Sequence, residues 1–491
     1  MNLKTNPFLL TDFYKVGHPF QYPPKTERVY SNLTPRFSRM PGVEEMVFFG
    51  LQYFIQEYLL SYFDENFFGR DRGAVMDEYR RHIKSALGSD LPTTEHIEYV
   101  HQMNYLPLRI KALPEGTTCP MRVPVLTICS TDTHSAWLTN WTETLLSSVI
   151  WQPCTSATIA HEFRKLLNKH ASGTGMPQEF VAWQGHDFSF RGMSSMETAI
   201  LSGMGHLLSF TGTDTIPAIV AAEKYYGADV ETELVGGSVP ATEHAVMCAG
   251  GKEDEMETFH RLLTQIYPSG IVSVVSDTWD LWLVLTKILP ALKPQIMARD
   301  GKLVIRPDSG DPVLIICGDP NSDNENARKG VIELLWDVFG GTTNTKGFRV
   351  LDSHVGAIYG DSISRDRADQ ICSKLAAKGF ASQVIFGIGS YSYQYNTRDT
   401  FGTAMKATHV VIDGKSHNIF KDPKTDDGSK KSATGLLAVH RENGRLILHE
   451  GVSDAEESDG ELKTVFLNGQ VKRSQTLGDI RAILSESRAS I

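Results

Sequence analysis

The pattern of apolar and polar positions changes character along the chain. From about residue 180, short apolar runs end in polar or glycine-rich turns. Residues 271–275 run into Ser276-Asp277, residues 303–305 into Arg306-Pro307-Asp308-Ser309-Gly310, and residues 383–386 into Gly387-Ile388-Gly389. Runs of this length bounded by such turns read as buried strands. The helices between them carry their own signals. Ser194 and Glu197 have capping-box spacing ahead of residues 199–210. Ala368, Ile371, Cys372, Leu375 and Ala376 share one helix face, with Ser364 as N-cap and Gly379 as the stop. Strand, polar turn and helix in repetition imply parallel strands with helical crossovers. Chemistry then belongs in the loops after the strands. A barrel is the preferred arrangement, and an open doubly wound sheet fits the same pattern.

The two ends of the chain read differently. Up to about residue 150 the sequence is rich in aromatics, with residues 47–55 as a buried helix and residues 123–128 as a strand. A long helical pattern follows from near His134. Beyond residue 400, residues 409–412 and 436–439 read as strands, and the polar, lysine-rich stretch 421–432 between them as a mobile loop. No internal repeat interrupts this organisation.

A chain of 491 residues needs at least two packed units. Apolar residues at 41% and charged residues at 22% are a globular balance. The formal charge of -10 disfavours nucleic acid and anionic membrane as partners, yet allows a local basic pocket for a phosphorylated small molecule. Six cysteines without a Cys-x-x-Cys pair suggest neither a zinc site nor a disulfide framework, and suit a reducing compartment. The first residues lack the apolar core of a signal peptide, and no apolar run is long enough to span a bilayer. A soluble, cytoplasmic protein is expected.

Several phosphate and metal motifs are missing. Gly414-Lys415-Ser416 ends like a Walker loop, but His409 stands where the earlier glycine is required. Gly387-Ile388-Gly389 has Ser392 in place of the third glycine of a dinucleotide fingerprint, although its backbone can still approach a phosphate. No His-Glu-x-x-His helix occurs. What remains is a series of polar segments: residues 186–192, Gly212-Thr213-Asp214-Thr215, residues 238–244, residues 274–277 and Arg306-Pro307-Asp308-Ser309-Gly310.

In order and spacing these segments resemble the nicotinamide phosphoribosyltransferase family. The likeness runs from Thr11-Asp12-Phe13-Tyr14-Lys15 and Gln21-Tyr22-Pro23-Pro24 to Phe420-Lys421-Asp422-Pro423. It implies the type II phosphoribosyltransferase fold: an irregular α/β barrel with a second β-rich domain built from both chain ends. The expected domains are 1–150 with 400–491 for the β-rich part, and 151–399 for the barrel that carries most of the active site. The resemblance also implies a homodimer with shared active sites. The implied reaction joins nicotinamide to the phosphoribosyl group of phosphoribosyl pyrophosphate, with Mg²⁺, and with ATP phosphorylating a histidine.

The same resemblance distributes roles. Phe188 stacks on the pyridine ring, with Tyr14 and Asp12 of the neighbouring subunit closing the other side. Asp214 accepts the amide N–H of nicotinamide. A nicotinate carboxylate there would meet a like charge, at a cost of about 4 kcal/mol for charges about 4 Å apart at an effective dielectric of about 20. Arg306, Asp308 and Asp361 form the ribose and pyrophosphate shell, with Asp308 as a Mg²⁺ ligand, and Arg306 also belongs to the nicotinamide site, where its planar fork can reach the amide carbonyl. Arg191, Ser238, Gly360, Gly389, Ser390, Arg398 and Lys406 contact phosphate or ribose, joined by Arg36 and Lys421 of the partner subunit. His244 is the phosphorylated histidine. An imidazole nitrogen attacks a phosphoryl group when an acceptor holds the other nitrogen, and Asp277 is the best orienting candidate, with Glu243 second.

Each of these residues also has an ordinary reading. A lone Phe packs in a core, an Asp after Gly-Thr caps a helix, and surface Arg and Lys are solvated. Two positions depart from the family pattern: Gly389-Ser390-Tyr391 replaces a glycine-rich run, and Ala404 stands where a phosphate-binding Ser is common. Nicotinate phosphoribosyltransferase is the nearest alternative. A catalytically silent mononucleotide-binding barrel and a carbohydrate hydrolase with paired carboxylates are more distant ones.

Overall fold

The computed structural model describes residues 4–88, 93–425 and 431–489. They pack as two units. One comprises residues 1–158, 221–228 and 396–491, and the other residues 159–220 and 229–395. Of the stretch read as a mobile loop, residues 426–430 lie outside the described residues.

The second unit is built on six parallel strands: β1 (Gly185–Asp187), β2 (Gly212–Thr213), β3 (Ser269–Val275), β4 (Asp300–Arg306), β5 (Val355–Tyr359) and β6 (Ile385–Ile388). Their spatial order is β2-β1-β6-β5-β4-β3. Val272, Val274 and Val275 of β3 and Leu303, Val304 and Ile305 of β4 are all buried. Parallel strands covered on both faces need such nearly continuous apolar runs, broken in β3 only by Ser273, and this made them legible.

Left as they are, β2 and β3 would be open edges. Residues 237–241 bridge them. Thr213 N donates to Gly237 O at 2.9 Å, and Gly237 N to Thr211 O at 2.9 Å. On the other side Ser273 N donates to Pro240 O at 2.9 Å, and Thr242 N to Ser273 O at 3.0 Å. The ring therefore closes as an irregular α/β barrel rather than an open sheet. Its helices are capped much as expected. Ser364 Oγ accepts from Arg367 N to start Arg365–Ala377, and Gly379 follows the helix at φ +78. Helix Met196–Leu207 differs by one residue. Its box pairs Ser195 with Thr198, not Ser194 with Glu197, because Ser195 holds the extended backbone that lets its Oγ reach Thr198 N.

The first unit centres on a seven-stranded antiparallel sheet drawn from both chain ends. Its order is Lys415–Asn418, Ala404–Ile412, Thr26–Thr34, Leu126–Ser130, Leu108–Ala112, Lys463–Leu467 and Gln470–Val471. Two hairpins at its edges turn on Asp413-Gly414 and Asn468-Gly469, whose φ values of 49, 69, 48 and 75 suit two-residue primed turns. The Gly414-Lys415-Ser416 string is thus a hairpin turn. Residues 47–55, read as one helix, are not: Val47 ends a strand, Gly50 turns the chain at φ +99, and helix begins at Leu51. Fully buried Glu115 fixes this turn, accepting from Gly50 N at 3.0 Å and Gln52 N at 2.6 Å. It also accepts from Tyr226 Oη at 3.0 Å, which ties residues 221–228 into this unit. All six cysteines are free. Among the described residues no helix is long and apolar enough to cross a membrane.

Candidate active site

Loops at the C-terminal ends of the barrel strands surround a cavity of about 1180 Å³. Phe188 follows β1, Asp214 follows β2, Arg306 ends β4 with Asp308 just beyond, Gly360 and Asp361 follow β5, and Gly389 and Ser390 follow β6. All of these residues line the cavity, together with Arg191 and Glu243.

At one end Phe188 is half-buried, and its backbone N donates to Ile388 O at 3.0 Å. Gly387 lies so close that a Cβ there would meet the Phe188 ring. Asp214 Oδ1 accepts from His186 Nε2 at 2.9 Å and from Ser238 Oγ at 2.6 Å. Burial alone would raise the Asp214 pKa, but these two donors, with the charges of His186 and Arg306 nearby, hold the carboxyl below its ordinary value. Ser238, expected among the phosphate and ribose contacts, thus has its hydroxyl directed to the Asp214 carboxylate.

Behind this wall, fully buried Asp187 accepts from Ser189 N and Thr213 Oγ1, which fixes the two loops that present Phe188 and Asp214. Equally buried His206 pairs Nδ1 with Tyr393 Oη at 2.6 Å and Nε2 with Gly212 O at 2.9 Å. It thereby joins the loop after β6 to β2. Burial pushes the His206 pKa down to about 4, so the ring is neutral. The unfolded chain takes up the proton first, and stability contributed here falls as pH drops from about 6.5 toward about 4. His206→Leu removes the two buried hydrogen bonds to Tyr393 Oη and Gly212 O, and a loss of about 1–3 kcal/mol is expected. Thermal unfolding scans at several pH values check this: the variant's midpoint should be lower and flatter across that window.

At the other end Arg306 Nη2 donates to Thr242 O at 2.7 Å, and Arg306 Nε lies 3.6 Å from Asp308 Oδ2. One arm of the guanidinium is therefore occupied by backbone. Asp308 Oδ1 is buried without a hydrogen-bond partner and packs on the Gly360 backbone, where a Cβ would clash. Burial raises the Asp308 pKa against the opposing pull of Arg306. Asp277 Oδ2 accepts from the backbone N of Asp308 and Ser309 at 2.8 and 2.7 Å. Asp277 thus shapes the Asp308 loop.

His244 begins helix His244–Gly250. Its Nδ1 lies 3.1 Å from Thr278 Oγ1, while Nε2 is 3.9 Å from both Asp277 Oδ1 and Asp308 Oδ2. The direct hydrogen-bond partner is therefore Thr278. Asp277 stands beyond hydrogen-bond distance, and Glu243 occupies the helix N-cap with no side-chain cap bond. Thr278 directly follows Asp277, but nothing in the sequence pattern points to a hydroxyl there. Tyr391 and Tyr395 also line the cavity, with parallel rings 6.1 Å apart and exposures of 56% and 83%. Ser390 and Tyr391, which replace the glycine-rich run, are thus part of the cavity wall.

The remaining candidates lie in the first unit. Asp12, Tyr14 and Arg398 line a cavity of about 250 Å³ with Glu143 and Thr144. Thr144 Oγ1 donates to Asp12 Oδ2 at 2.6 Å. Buried Lys15 donates to Asn140 O and to Glu143 Oε2, both at 2.8 Å. These bonds clamp the segment and leave Tyr14 63% exposed. Lys406 is half-buried, and its pKa is lowered by burial and further by the positive charges of Arg36, Lys421 and Arg398. Those four residues form one basic group. Ala404 is buried at the start of its strand, opposite Thr34.

Among the described residues no three His, Cys, Asp or Glu side chains form a metal cage. Mg²⁺ commonly needs only one or two carboxylates besides substrate phosphates. The unpartnered Oδ1 atoms of Asp308 and Asp277 fit that requirement as hard oxygen donors.

Two family models match the chain: the nicotinate phosphoribosyltransferase (NAPRTase) family over residues 183–470, and the nicotinamide phosphoribosyltransferase N-terminal domain over residues 6–87. A nicotinamide phosphoribosyltransferase of Acinetobacter baylyi is 50% identical, with 100% of this chain and 99% of the relative covered. One of Xanthomonas campestris pv. campestris is 34% identical over 99% of this chain and 100% of the relative. In fold the chain is similar to the nicotinate-nucleotide pyrophosphorylase of Pyrococcus furiosus (TM-score 0.59, 15% identity, 100% and 98% of the two chains). It is also similar to the human nicotinic acid phosphoribosyltransferase (TM-score 0.51, 13% identity, 97% and 94%).

Proposed function

The chain belongs to the nicotinamide phosphoribosyltransferase family, and on that premise we propose that it transfers the 5-phosphoribosyl group of phosphoribosyl pyrophosphate to nicotinamide, giving nicotinamide mononucleotide and pyrophosphate for NAD salvage. One observation carries the choice of base: Asp214 is held ionised at the cavity wall by two hydrogen-bond donors. An ionised carboxylate accepts the N–H of a carboxamide and repels a carboxylate.

Phe188 offers its face to the electron-poor pyridine ring. Transfer breaks the bond between ribosyl C1 and pyrophosphate, and the ring nitrogen forms a new bond to that carbon. Positive charge develops on the ribosyl centre, beside the carboxylates of Asp308 and Asp361. Negative charge develops on the leaving pyrophosphate, which Arg191 and the free N–H groups of Arg306 are suited to receive. Mg²⁺, held by Asp308 with Asp277 or Asp361, would neutralise the leaving group. The basic group Arg36, Arg398, Lys406 and Lys421 is assigned to further phosphate contacts.

His244 is assigned to ATP coupling. With Nδ1–H donated to Thr278, the lone pair stands on Nε2, which can attack the γ-phosphorus and release ADP. The protein is proposed to work as a homodimer in which Tyr14 of one chain closes the base site of the other.

The experiment is a product assay with phosphoribosyl pyrophosphate and Mg²⁺, offering nicotinamide or nicotinate, with and without ATP. Nicotinamide mononucleotide should dominate. Asp214→Asn is expected to shift the nicotinamide-to-nicotinate ratio of kcat/KM by at least about 10-fold toward nicotinate, the equivalent of only about 1.4 kcal/mol. An unchanged ratio would show that Asp214 does not read the amide.

A further inference from the structure

We infer that His186 is a positioning residue for base selection, which with Ser238 occupies one oxygen of the Asp214 carboxylate and leaves the other to read the carboxamide. The inference rests on the proposed function above.

A carboxylate oxygen accepts along two lone-pair directions. Asp214 Oδ1 meets His186 Nε2 at 2.9 Å and Ser238 Oγ at 2.6 Å, so both of its directions are taken. Among the described residues no hydrogen bond reaches Oδ2. The Asp214 side chain is 46% exposed and lines the cavity, so Oδ2 is the acceptor available to a bound base. Two donors on one oxygen also fix the carboxylate plane, which sets the direction from which an N–H must come.

His186 is itself held firmly. It is buried in the middle of β1, and its ring lies against Gly212, where a Cβ would sit 2.6 Å from Nδ1. Only a residue without a side chain at position 212 lets the imidazole lie there. The ring also packs on Phe188, with centroids 4.6 Å apart at 50°. One buried imidazole therefore braces both the stacking ring and the hydrogen-bonding carboxylate. Its bond to Asp214 favours the charged carboxylate. Without it, Asp214 would be freer to rotate and easier to protonate, and a protonated Asp can donate to a nicotinate carboxylate.

The test compares His186→Ala, His186→Gln, Asp214→Asn and the double variant His186→Ala/Asp214→Asn, all as full-length protein. Steady-state kcat and KM are measured for nicotinamide, nicotinate and phosphoribosyl pyrophosphate, with the thermal midpoint of each variant. His186→Ala should raise the nicotinamide KM about 10-fold, the loss of a hydrogen bond to a charged group. Its kcat and its KM for phosphoribosyl pyrophosphate should change less than about 3-fold, and nicotinate should gain relative to nicotinamide. His186→Gln, whose amide can donate from nearly the same place, should recover most of the loss. In the double variant the His186→Ala change should add little to that of Asp214→Asn, because the two act through one contact.

Additive effects in this cycle, or equal damage from Ala and Gln with lowered midpoints, would reduce His186 to a packing residue and overturn the inference. If His186→Ala does not fold, the Gln variant decides in its place, since normal nicotinamide KM and base ratio are required of it. A wild-type enzyme that makes no nicotinamide mononucleotide would instead overturn the proposed function, and the inference with it.

Discussion

Incubated with γ-labelled ATP, the His244→Ala variant is expected to incorporate no acid-labile phosphate, while the wild type labels with ATP and Mg²⁺. The expectation comes from the placing of one imidazole. Its Nδ1 is 3.1 Å from Thr278 Oγ1, and its Nε2 points between Asp277 and Asp308. The His244 side chain is 45% exposed and can be reached by a nucleotide. Removing the nucleophile removes the covalent step entirely, whereas Phe188, Asp214 and Arg306 remain in place. A slow, ATP-independent transfer should therefore survive, and the yield of nicotinamide mononucleotide should no longer rise with ATP. Thr278→Val is a milder companion. It removes the hydroxyl that orients the ring and should lower the labelling rate by about 10–100-fold without abolishing it, in line with losing one hydrogen bond that matters in the transition state. Undiminished acid-labile label in His244→Ala would place the phosphate elsewhere.

The reasons some features were legible and others were not are physical. The barrel strands β3 and β4 announced themselves because burial on both faces demands nearly continuous apolar runs, and Arg306 and Asp308 at the end of β4 line the cavity. The bridging piece, residues 237–241, carries no such signal. It joins β2 and β3 through backbone bonds, and Gly237-Ser238-Val239-Pro240 gives no strand pattern. Residues 47–55 misled because an apolar run says nothing about Gly50, whose positive φ splits it into strand and helix. The capping box slipped by one residue because Ser194 and Ser195 are adjacent and equally able to cap; backbone conformation chose between them.

In the site, the residue types were visible but their pairings were not. Asp277 was the natural acceptor for His244 by charge, yet its Oδ2 is taken up by two backbone N–H groups. The hydrogen bond went to the neighbouring hydroxyl. Ser238 is expected among the phosphate and ribose contacts, and its hydroxyl donates to Asp214, a pairing the sequence does not show. Such exchanges are settled by which loop ends meet at the top of the barrel. That depends on its irregular closure, which the sequence pattern does not show. His186 was in plain view beside Phe188, but only the register of β1 against β2 brings it to Asp214.

The largest effect is expected from combining two inactive proteins. Tyr14 is 63% exposed on a segment clamped by Lys15 to Asn140 and Glu143, and by Asp12 to Thr144. An aromatic ring held rigidly in the open is suited to a surface that another chain completes. If each base site combines Phe188 and Asp308 of one chain with Tyr14 of its partner, Tyr14→Ala and Asp308→Ala should each be nearly inactive when pure. Co-expressed with separate tags and purified as a mixture, they form three kinds of dimer. In the mixed kind one pocket carries both lesions, and the other is built wholly from intact residues. With random pairing about half of the dimers are mixed, so activity should recover to roughly a quarter of wild type. Selecting for both tags should raise this to about half, since every dimer then has one sound pocket. The readout is nicotinamide mononucleotide formed per subunit, with light scattering to verify that dimers are present. If doubly tagged dimers form and are as inactive as their parents, the shared site is wrong, and Tyr14 acts within its own chain or not at all.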